Sequence, residues 1–316
     1  MKINALRDFL AVAERGSLRA AARHLDVAQS VMTRNIQELE KELGVVLFER
    51  RARGVVVTPM GEVFLRRAKA VRNEFRLAQE ELDQLRGETH GQIRMCLSSV
   101  AHMELLPSAL QPFRQRFPNV TLEVIDAVLP RVEKQLKDGS IDFYVGPLHG
   151  EVSSELTSEK LFDNQRVILG RIGHPLADAT SLRDLVDADW VSTSITHKTE
   201  DELSQLFERH ALPPPNIVMQ GHSALTFYFA LTCSDLLMLM PIQWSRVPLF
   251  RDQLQTITVT ESLFAPPICI VQRTGLPLTP AAEYFCDMIR RGSAHRDQGS
   301  GDTPISQTCT QNRKAT

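Results

Sequence analysis

Residues 17–62 read SLRAAARHLDVAQSVMTRNIQELEKELGVVLFERRARGVVVTPMGE. Apolar residues recur in this segment every three or four positions, which is the spacing of the buried face of a helix. The pattern predicts two short helices separated by a turn at Asp26 and Val27. The inward residues would be Leu18, Ala21, Ala22 and Leu25 in the first helix, and Met32, Ile36, Leu39 and Leu43 in the second, which starts at about Gln29.

A further amphipathic helix is predicted directly upstream, where four apolar residues share one helical face: Leu6, Phe9, Leu10 and Ala13. Gly16 would end that helix, and Ser17 can cap the next one with its hydroxyl. Ala21 and Ala22 are small enough to let the second helix cross closely over the first. This arrangement is typical of a helix-turn-helix module, although helical hairpins also occur in proteins that do not bind DNA.

The outward face of the third helix carries hydrogen-bonding side chains of the kind that contact base edges in a major groove. These candidate DNA-binding residues are Gln29, Ser30, Thr33, Arg34 and Gln37. The following run, ERRARGVVVT, predicts a hairpin because valines favour strands, and arginines surround its turn at Gly54. Planar guanidinium groups match phosphate oxygens, so Arg50, Arg51 and Arg53 are candidate contacts to the DNA backbone. Together these features predict a winged helix-turn-helix.

Formal charge is distributed unevenly along the 316 residues, although the whole chain sums to −2. Residues 1–76 contain 15 Lys and Arg against 9 Asp and Glu, a charge of +6, and the remainder carries −8. A basic head on an acidic body indicates that only the head meets a polyanion. Because charge runs are also common on solvated faces, the asymmetry supports the DNA prediction without establishing it.

The segment 17–62 resembles the amino-terminal domain of the LysR-type transcriptional regulators. The family pattern has Ala-Ala and Leu in the second helix, a polar opening of the third, then Leu-Glu-x-x-Leu-Gly, Leu-Phe-x-Arg and Thr-x-x-Gly. The matching positions are Ala21, Ala22, Leu25, Gln29, Thr33, Leu39, Glu40, Leu43, Gly44, Leu47, Phe48, Arg50, Thr58 and Gly61. Two positions depart from the pattern: Ala28 replaces a capping Ser or Thr, and Ser30 replaces Pro. Loss of such a cap costs about 1 kcal/mol.

A long linker helix is predicted after the hairpin, where Thr58 can cap and Pro59 fits the first helical position. Apolar residues then alternate at intervals of four and three, the pattern of a coiled-coil seam. These candidate dimerisation residues are Phe64, Ala68, Val71, Phe75, Ala78, Leu82 and Leu85. A helix packed on its own body is the alternative. LysR-type proteins dimerise through this helix, so the resemblance implies a homodimer or homotetramer.

The remaining sequence alternates strand-like and helix-like segments, which predicts an α/β body with a mostly parallel sheet. The resemblance implies a two-lobed effector domain similar to periplasmic binding proteins. The predicted units are a winged helix-turn-helix DNA-binding domain at 1–58, a dimerising linker helix at 59–87, an effector-binding domain at 88–292 and a disordered, polar tail at 293–316. Lobe I would comprise about 91–162 and 267–292, and lobe II about 163–266.

LysR-type effectors bind in the cleft between the lobes, and the resemblance maps that cleft onto Ser98, Ser99, Val100, Val128, Gly146, Pro147, Thr193 and Ser194. Hydroxyls at Ser98 and Ser99 beside a helix start would favour an anion, although serines there equally cap a helix. Some relatives carry an Arg near Pro147, which this chain lacks. Residues 79–87 and 276–282 are similar to segments of regulators of aromatic-sulfonate catabolism, which favours a small aromatic or organic acid.

Other classes of protein are disfavoured by the sequence. Five widely spaced cysteines without a CxxC motif argue against a secreted disulfide scaffold or a zinc finger. The charged first helix is unlike a signal peptide and no apolar run is long enough for a membrane span, so we expect a cytoplasmic protein without membrane contact. No GxSxG, GxGxxG, phosphate-loop or HExxH motif occurs. We therefore expect no catalytic residue, metal site or cofactor.

The leading hypothesis is a sequence-specific transcriptional regulator controlled by a small-molecule effector. Its expected partners are double-stranded promoter DNA, the effector, further copies of the chain and RNA polymerase. A cytoplasmic solute-binding module and a catalytic α/β protein without DNA function are the alternatives. The basic head disfavours the first alternative, and the missing motifs disfavour the second.

Overall fold

A computed structural model of the chain describes residues 3–52, 54–88, 90–193 and 200–299. It contains an amino-terminal head, a long linker helix and two α/β lobes. The head consists of α1 (Ile3–Arg15), α2 (Leu18–His24), α3 (Gln29–Leu43), β1 (Phe48–Arg51) and β2 (Gly54–Val57), with the two strands paired antiparallel. The predicted winged helix-turn-helix is confirmed.

The three helices of the head pack around one apolar core because each turns inward the residues that its period predicts. Phe9 is fully buried there, with its ring centroid 5.2 Å from that of Phe48 and 4.9 Å from that of Phe64. Leu43 was also expected to face inward, but it is 38% exposed. It is the last residue of α3, where Gly44 ends the helix in the left-handed conformation, so no further turn covers it.

The linker helix, α4 (Pro59–Leu85), starts at the predicted cap. The Thr58 hydroxyl accepts a hydrogen bond from the amide of Gly61 at 2.9 Å and donates one to the carbonyl of Val46 at 2.7 Å. A Cβ at Gly61 would lie 2.3 Å from the carbonyl oxygen of Leu47, so only glycine fits. These contacts fix the angle at which α4 leaves the head.

The body follows α4 and first builds most of lobe I. The elements there are β3 (His90–Leu97), α5 (Ser99–Glu104), α6 (Leu106–Arg116), β4 (Asn119–Asp126), α7 (Leu129–Lys137), β5 (Phe143–Pro147) and β6 (Leu156–Phe162). Lobe II contains β7 (Arg166–Arg171), a 3-10 turn (Leu182–Leu185), β8 (Asp189–Thr193), α8 (Glu200–Arg209), β9 (Asn216–Gly221), α9 (Ala224–Thr232), β10 (Met238–Pro241), α10 (Gln243–Arg246), α11 (Pro248–Arg251) and β11 (Leu254–Ile257). The chain returns to lobe I with β12 (Ile268–Arg273) and α12 (Pro280–Gly299).

The sheets are mixed rather than mostly parallel. Lobe I has the strand order β4-β3-β5-β12-β6, in which β3 is parallel to β4 and β5, and the returning β12 is antiparallel to β5 and β6. In lobe II, β10, β7 and β11 are antiparallel, and β8 and β9 form a parallel pair. The parallel prediction is therefore wrong for much of the body, because alternation of strands and helices does not fix the direction in which a long connection returns.

Each lobe has its own apolar core. Lobe I buries Phe113, Phe143 and Phe285 between its sheet and α6 and α12. Lobe II buries Trp190 and Trp244, and Met103 of α5 in lobe I packs against the core around Trp244. The two lobes are thus joined by the chain crossings and by this apolar contact.

Helix α12 extends farther than the sequence analysis predicts. The expected boundary lay at Gly292, but the helix continues to Gly299. Ser293 is 4% exposed, and its hydroxyl donates to the carbonyl of Leu161 at 3.1 Å. The prediction of disorder is therefore wrong for residues 293–299, because a polar segment can continue a helix that packs on a folded body. Residues 300–316 lie outside the described residues.

Within the described part of the chain, every helix is too short or too polar to pass through a lipid bilayer.

Candidate functional site

One face of α3 is exposed on the head and carries most of the predicted base-contacting residues. The exposed ones are Gln29, Ser30, Arg34 and Gln37. Thr33 is half-buried, and its hydroxyl donates to the carbonyl of Gln29 at 2.9 Å. Arg34 lies 3.7 Å from Glu38 in a solvated ion pair. The helix starts directly after Ala28, which forms no side-chain cap, so its first amides face outward without that partner.

A buried carboxylate that the sequence analysis missed holds α3 against α1. Asp8 is 1% exposed, and one of its oxygens accepts a hydrogen bond from the amide of Asn35 at 2.6 Å. Its other oxygen lies 3.2 Å from the guanidinium of Arg7. The sequence feature that could have indicated this contact is an acidic residue directly next to Phe9, which is predicted to face inward.

The hairpin formed by β1 and β2 presents arginines beside this face. Arg50 and Arg51 are exposed, and Arg51 pairs with Glu49 at 2.7 Å. The third predicted backbone contact, Arg53, lies outside the described residues. Exposed guanidinium groups on a hairpin are free to meet phosphate, because a solvated pair such as Arg51–Glu49 is worth little.

The hairpin itself is anchored to the helices at both ends. A Cβ at Gly54 would lie 2.2 Å from the carbonyl oxygen of Gly16, so the turn approaches α1 as closely as glycine allows. On α3, one Glu40 oxygen accepts hydrogen bonds from the amides of Leu47 at 2.7 Å and Phe48 at 3.1 Å. Glu40 therefore has a structural role in positioning the hairpin.

The linker helix carries an exposed apolar stripe along one face. We define this stripe by its five exposed members, Val71, Phe75, Ala78, Leu82 and Leu85. Their side chains are far from buried, with Phe75 50% and Leu85 70% exposed. Ala68 is instead 1% exposed, and Phe64 packs on Phe9 in the head core. Placing these two in a dimer seam is therefore wrong, because the head covers the first turns of α4.

A second face of α4 packs against lobe I through polar groups. Asn73 is 2% exposed, and its side-chain amide donates to the carbonyl of Asp138 at 2.9 Å. Near the end of the helix, the side-chain oxygen of Gln84 accepts from the amide of Ala281 at 2.9 Å. The alternative interpretation, a helix packed on its own body, is thus confirmed for this face, whereas the apolar stripe lies on another face and its role in dimerisation stays a prediction.

A buried carboxyl lies where α4 meets lobe I. One oxygen of Asp142 accepts from the amide of Arg94 at 2.8 Å, and the other lies 3.7 Å from Arg76, which also pairs with Glu80 at 2.9 Å. Burial raises the pKa of Asp142 to about 6, against the opposing effects of the Arg94 amide and the Arg76 charge. This junction therefore contains an acid that titrates close to neutral pH.

A cavity of about 750 Å³ lies between the two lobes, and we call it the cleft. Lobe I lines it with residues at the ends of β3, β4 and β5. Lobe II lines it with residues of β8, α8, α9 and β10, and with the aromatic side chains of Phe227 and Trp244. Its volume and its mixture of apolar and polar walls suit a small organic molecule.

Three ionisable residues that the sequence analysis missed meet inside the cleft. Arg166, at the start of β7, donates to one oxygen of Glu202 in α8 at 2.7 Å. The other oxygen of Glu202 accepts a hydrogen bond from Nε2 of His149, which belongs to lobe I. Burial acts to raise the pKa of Glu202, but the His149 hydrogen bond and the Arg166 charge outweigh it, so that pKa is lowered.

Two family descriptions match consecutive parts of the chain. The bacterial regulatory helix-turn-helix family of lysR type matches residues 3–62, and the LysR substrate binding domain matches residues 86–294. The chain belongs to the LysR family. It is a DNA-binding transcriptional regulator with an effector-binding domain.

Curated relatives of this LysR-family protein span almost its whole length. The HTH-type transcriptional regulator TdcA of Escherichia coli (strain K12) is 24% identical over 288 residues, covering 91% of this chain and 92% of the relative. The probable nitrogen assimilation transcriptional activator of Synechocystis sp. is 28% identical and covers 85% of this chain and 94% of the relative. A shorter match to TfdS of Cupriavidus pinatubonensis is 38% identical, with 46% of this chain and 50% of the relative covered.

Solved structures show the same fold. The crystal structure of CbnR, a LysR family transcriptional regulator, matches with a TM-score of 0.66 at 20% identity, over 93% of this chain and 99% of that one. Full-length CbnR complexed with its target DNA matches with a TM-score of 0.66 at 21% identity, over 92% of this chain and all of that one.

In this LysR-family protein, six of the eight predicted effector-binding residues line the cleft: Ser98, Ser99, Val100, Val128, Pro147 and Thr193. The Ser98 hydroxyl accepts from the amide of Ala101 at 3.4 Å, so it caps α5, as the alternative interpretation held. Gly146 does not line the cleft. A Cβ at this position would point at Tyr144 and lie 2.3 Å from its hydroxyl oxygen. Ser194 lies outside the described residues.

Potential metal ligands converge at one place among the described residues. Asp83, Glu88 and His90 place their ligand atoms within 4.8 Å of one another near the hinge after α4. Nδ1 of His90 lies 3.2 Å from Glu88, and Nε2 lies 3.6 Å from Asp83. The two ring nitrogens of His90 thus face two different carboxylates.

Proposed function

We propose that this regulator acts as a homodimer or homotetramer that binds promoter DNA through its heads and responds to a small molecule bound in the cleft. The observation that carries the proposal is the pairing, in one chain, of an exposed polar face on α3 with the exposed apolar stripe on α4. The first surface suits a major groove, and the second suits a partner helix. Two joined heads can read two half-sites.

On DNA, α3 lies in the major groove and the hairpin arginines contact the phosphate backbone. The base-contacting set is Gln29, Ser30, Thr33, Arg34 and Gln37, and the phosphate-contacting set is Arg50, Arg51 and Arg53. Exposure of the described members supports these roles, with Thr33 only half-exposed. Phosphate contacts position the head and give salt-dependent affinity, whereas base contacts give sequence preference.

The apolar stripe on α4 is the seam between two copies. An exposed row of large apolar side chains is unfavourable in water unless another surface covers it. Spacings of four and three residues match the seam of a second helix of the same kind. The linker helix is thus fixed on one face by its own lobe I and on another by the partner copy.

The cleft binds the effector, for which a small aromatic or organic acid is the proposed class. Aromatic walls at Phe227 and Trp244 and the hydroxyls of Ser99 and Thr193 support that class. The effector can change the arrangement of the heads only if it binds one arrangement of the lobes more tightly than the other. The contacts of Asn73 and Gln84 on α4 provide the physical connection from lobe I to the heads.

The chain acts in the cytoplasm without catalysis and without a cofactor, and RNA polymerase is its further partner. This proposal is supported by the relatives, which are named as transcriptional regulators and a transcriptional activator.

An electrophoretic shift assay with genomic fragments at low ionic strength tests the DNA function. We expect the purified full-length chain to shift a subset of fragments and to protect two half-sites in a footprint. Protein with native circular dichroism that shifts no fragment would overturn the proposal. A parallel thermal-shift screen of organic acids tests the effector function, because a ligand that binds the folded state raises the melting temperature.

A further inference from the structure

Among the described residues that line the cleft, Arg166 is the enclosed basic one. The basic lining residues of the cleft are Arg131, His149, Arg166 and His222. Arg131, His149 and His222 are exposed, whereas the side chain of Arg166 is only 12% exposed. A charge at an enclosed site interacts more strongly with a partner than a solvated one does, because less water screens it. Arg166 is therefore the basic group of the cleft that distinguishes a charged ligand from a neutral one.

The guanidinium of Arg166 has donor capacity that the protein does not use. Its Nη2 donates to Glu202, but its Nε is buried without a hydrogen-bond partner. A guanidinium presents five N–H donors in a flat fork, and a carboxylate can accept two of them side by side. A buried, unpaired donor is unfavourable, so a ligand that engages it would gain free energy there.

Glu202 is the protein's own carboxylate that pairs with Arg166, and it also links the two lobes. One of its oxygens accepts from Arg166 within lobe II, and the other accepts from His149 of lobe I. Glu202 is partly enclosed, with a side chain 23% exposed. A second carboxylate bound at Arg166 would lie close to Glu202 and be repelled by its negative charge. Binding of both carboxylates to the same guanidinium is therefore unfavourable.

Among the described residues that line the cleft, the other acids do not neutralise Arg166. Asp126 and Glu151 are exposed at the cavity wall, where water screens their charge. Glu133 is already paired with Lys137 at 2.8 Å. Glu202 is thus the internal competitor that a negatively charged ligand must displace.

We propose that the effector is a carboxylate that binds Arg166 in place of Glu202, and that this displacement breaks the His149–Glu202 link between the lobes. The inference rests on the proposed function, since it names the ligand class of the same cleft and how binding is sensed. Without ligand, Glu202 accepts the hydrogen bond from Nη2 of Arg166 and ties α8 to lobe I. With ligand, the carboxylate takes the guanidinium, and Glu202 turns away from both partners. A neutral molecule of the same shape fills the cavity but does not break the link.

The test uses the full-length protein and pairs of probes that differ only in charge. The acids are benzoate, salicylate and succinate, and the matched neutral compounds are benzamide, salicylamide and succinamide. Melting temperature and calorimetric titration are measured for each. We expect at least one acid to raise the melting temperature of the wild type or of Glu202→Gln, and its amide to have no effect.

Three variants separate Arg166 from its surroundings. Glu202→Gln removes the competitor, so the acid should bind about tenfold more tightly than it binds the wild type. Arg166→Met combined with Glu202→Gln removes both charges, which avoids an unpaired buried carboxylate, and should abolish binding. Arg183→Met is the matched control, because it removes an exposed arginine of lobe II that does not line the cleft, and the affinity of this variant for the acid should stay within about twofold of wild type.

Three results would overturn the inference: amides that stabilise as well as acids, an acid that binds the double variant normally, or no acid that acts on the wild type or on Glu202→Gln. The proposed function fails separately. Wild-type protein that shifts DNA while failing these tests loses only the carboxylate inference, whereas protein that shifts no DNA loses the regulator proposal even if an acid binds.

Discussion

The side-chain amide of Asn35 donates a 2.6 Å hydrogen bond to the carboxylate of Asp8, which is 1% exposed between α1 and α3. A buried charge is tolerated only when it is paired and hydrogen-bonded, and Arg7 and Asn35 supply those partners. The contact fixes the position of α3, whose outer face carries the proposed base contacts. This pair thus contributes both to the stability of the head and to the geometry of the DNA surface.

Asp8→Ala is expected to destabilise the head by about 1–3 kcal/mol, because it leaves the Asn35 amide without its buried partner. Urea unfolding followed by circular dichroism measures the change. The control is Glu38→Ala, which removes a solvated carboxylate from α3 and should change stability by no more than about 0.5 kcal/mol. Equal effects of the two substitutions would contradict the structural role of Asp8.

Arg50→Ala is expected to weaken binding to all DNA sequences and to reduce the slope of log affinity against log salt by about one unit, because one phosphate contact is lost. Fluorescence anisotropy across a salt series measures this. Arg183→Ala removes an exposed arginine from lobe II and should leave the slope unchanged. An unaltered slope in Arg50→Ala would reject the phosphate contact.

Phe75→Glu is expected to shift the chain from its oligomer toward monomer, since it places a charge in the centre of the apolar stripe. Light scattering at micromolar concentration measures the mass. Glu81→Ala, off the stripe on the same helix, should keep the wild-type mass. If the wild type is itself a monomer under these conditions, the seam does not exist.

Ser99→Ala is expected to weaken the response to any organic acid that stabilises the wild type, by about fivefold in affinity, because one cleft hydroxyl is lost. Titration by thermal shift measures it. Ser158→Ala, at an exposed position of β6 outside the cleft, is the control. A normal response in Ser99→Ala would place the ligand elsewhere.

Asp142→Asn is expected to flatten the dependence of stability on pH. An acid whose pKa rises to about 6 on folding binds more protons in the folded state than in the unfolded state. Its contribution therefore favours folding at low pH and is lost as pH rises from about 4 through 6, a loss on the order of 1–3 kcal/mol. Urea unfolding from pH 4 to 7 measures the slope, and Asp178→Asn, an exposed lobe II acid, should keep it.

The head is the part of this protein that its sequence predicts best. Apolar period, capping residues and glycines act over a few neighbouring positions, so α1 to α3, the hairpin and the Thr58 cap follow from local spacing. The apolar stripe on α4 follows in the same way. The six predicted residues that line the cleft were identified through the resemblance to a family and not through local spacing.

Other features depend on contacts between residues far apart in the chain. A heptad pattern specifies which residues share a face of α4, but only the packed head shows that Phe64 and Ala68 are already covered. The link through Glu202 joins residues 36 and 53 positions away, and neither a motif nor a spacing brings Arg166 and His149 together. In lobe I, the antiparallel direction of β12 was likewise set by the point at which the chain returns from lobe II.

A basic winged helix-turn-helix, a long amphipathic helix and an α/β body follow from the order of residues alone, because these features depend on interactions along the chain. Which apolar residues stay exposed and which ionisable residues meet in the cleft became clear from the folded molecule. The reason is physical: burial and charge pairing are properties of surfaces brought together by folding, and many different pairings are compatible with the same local pattern.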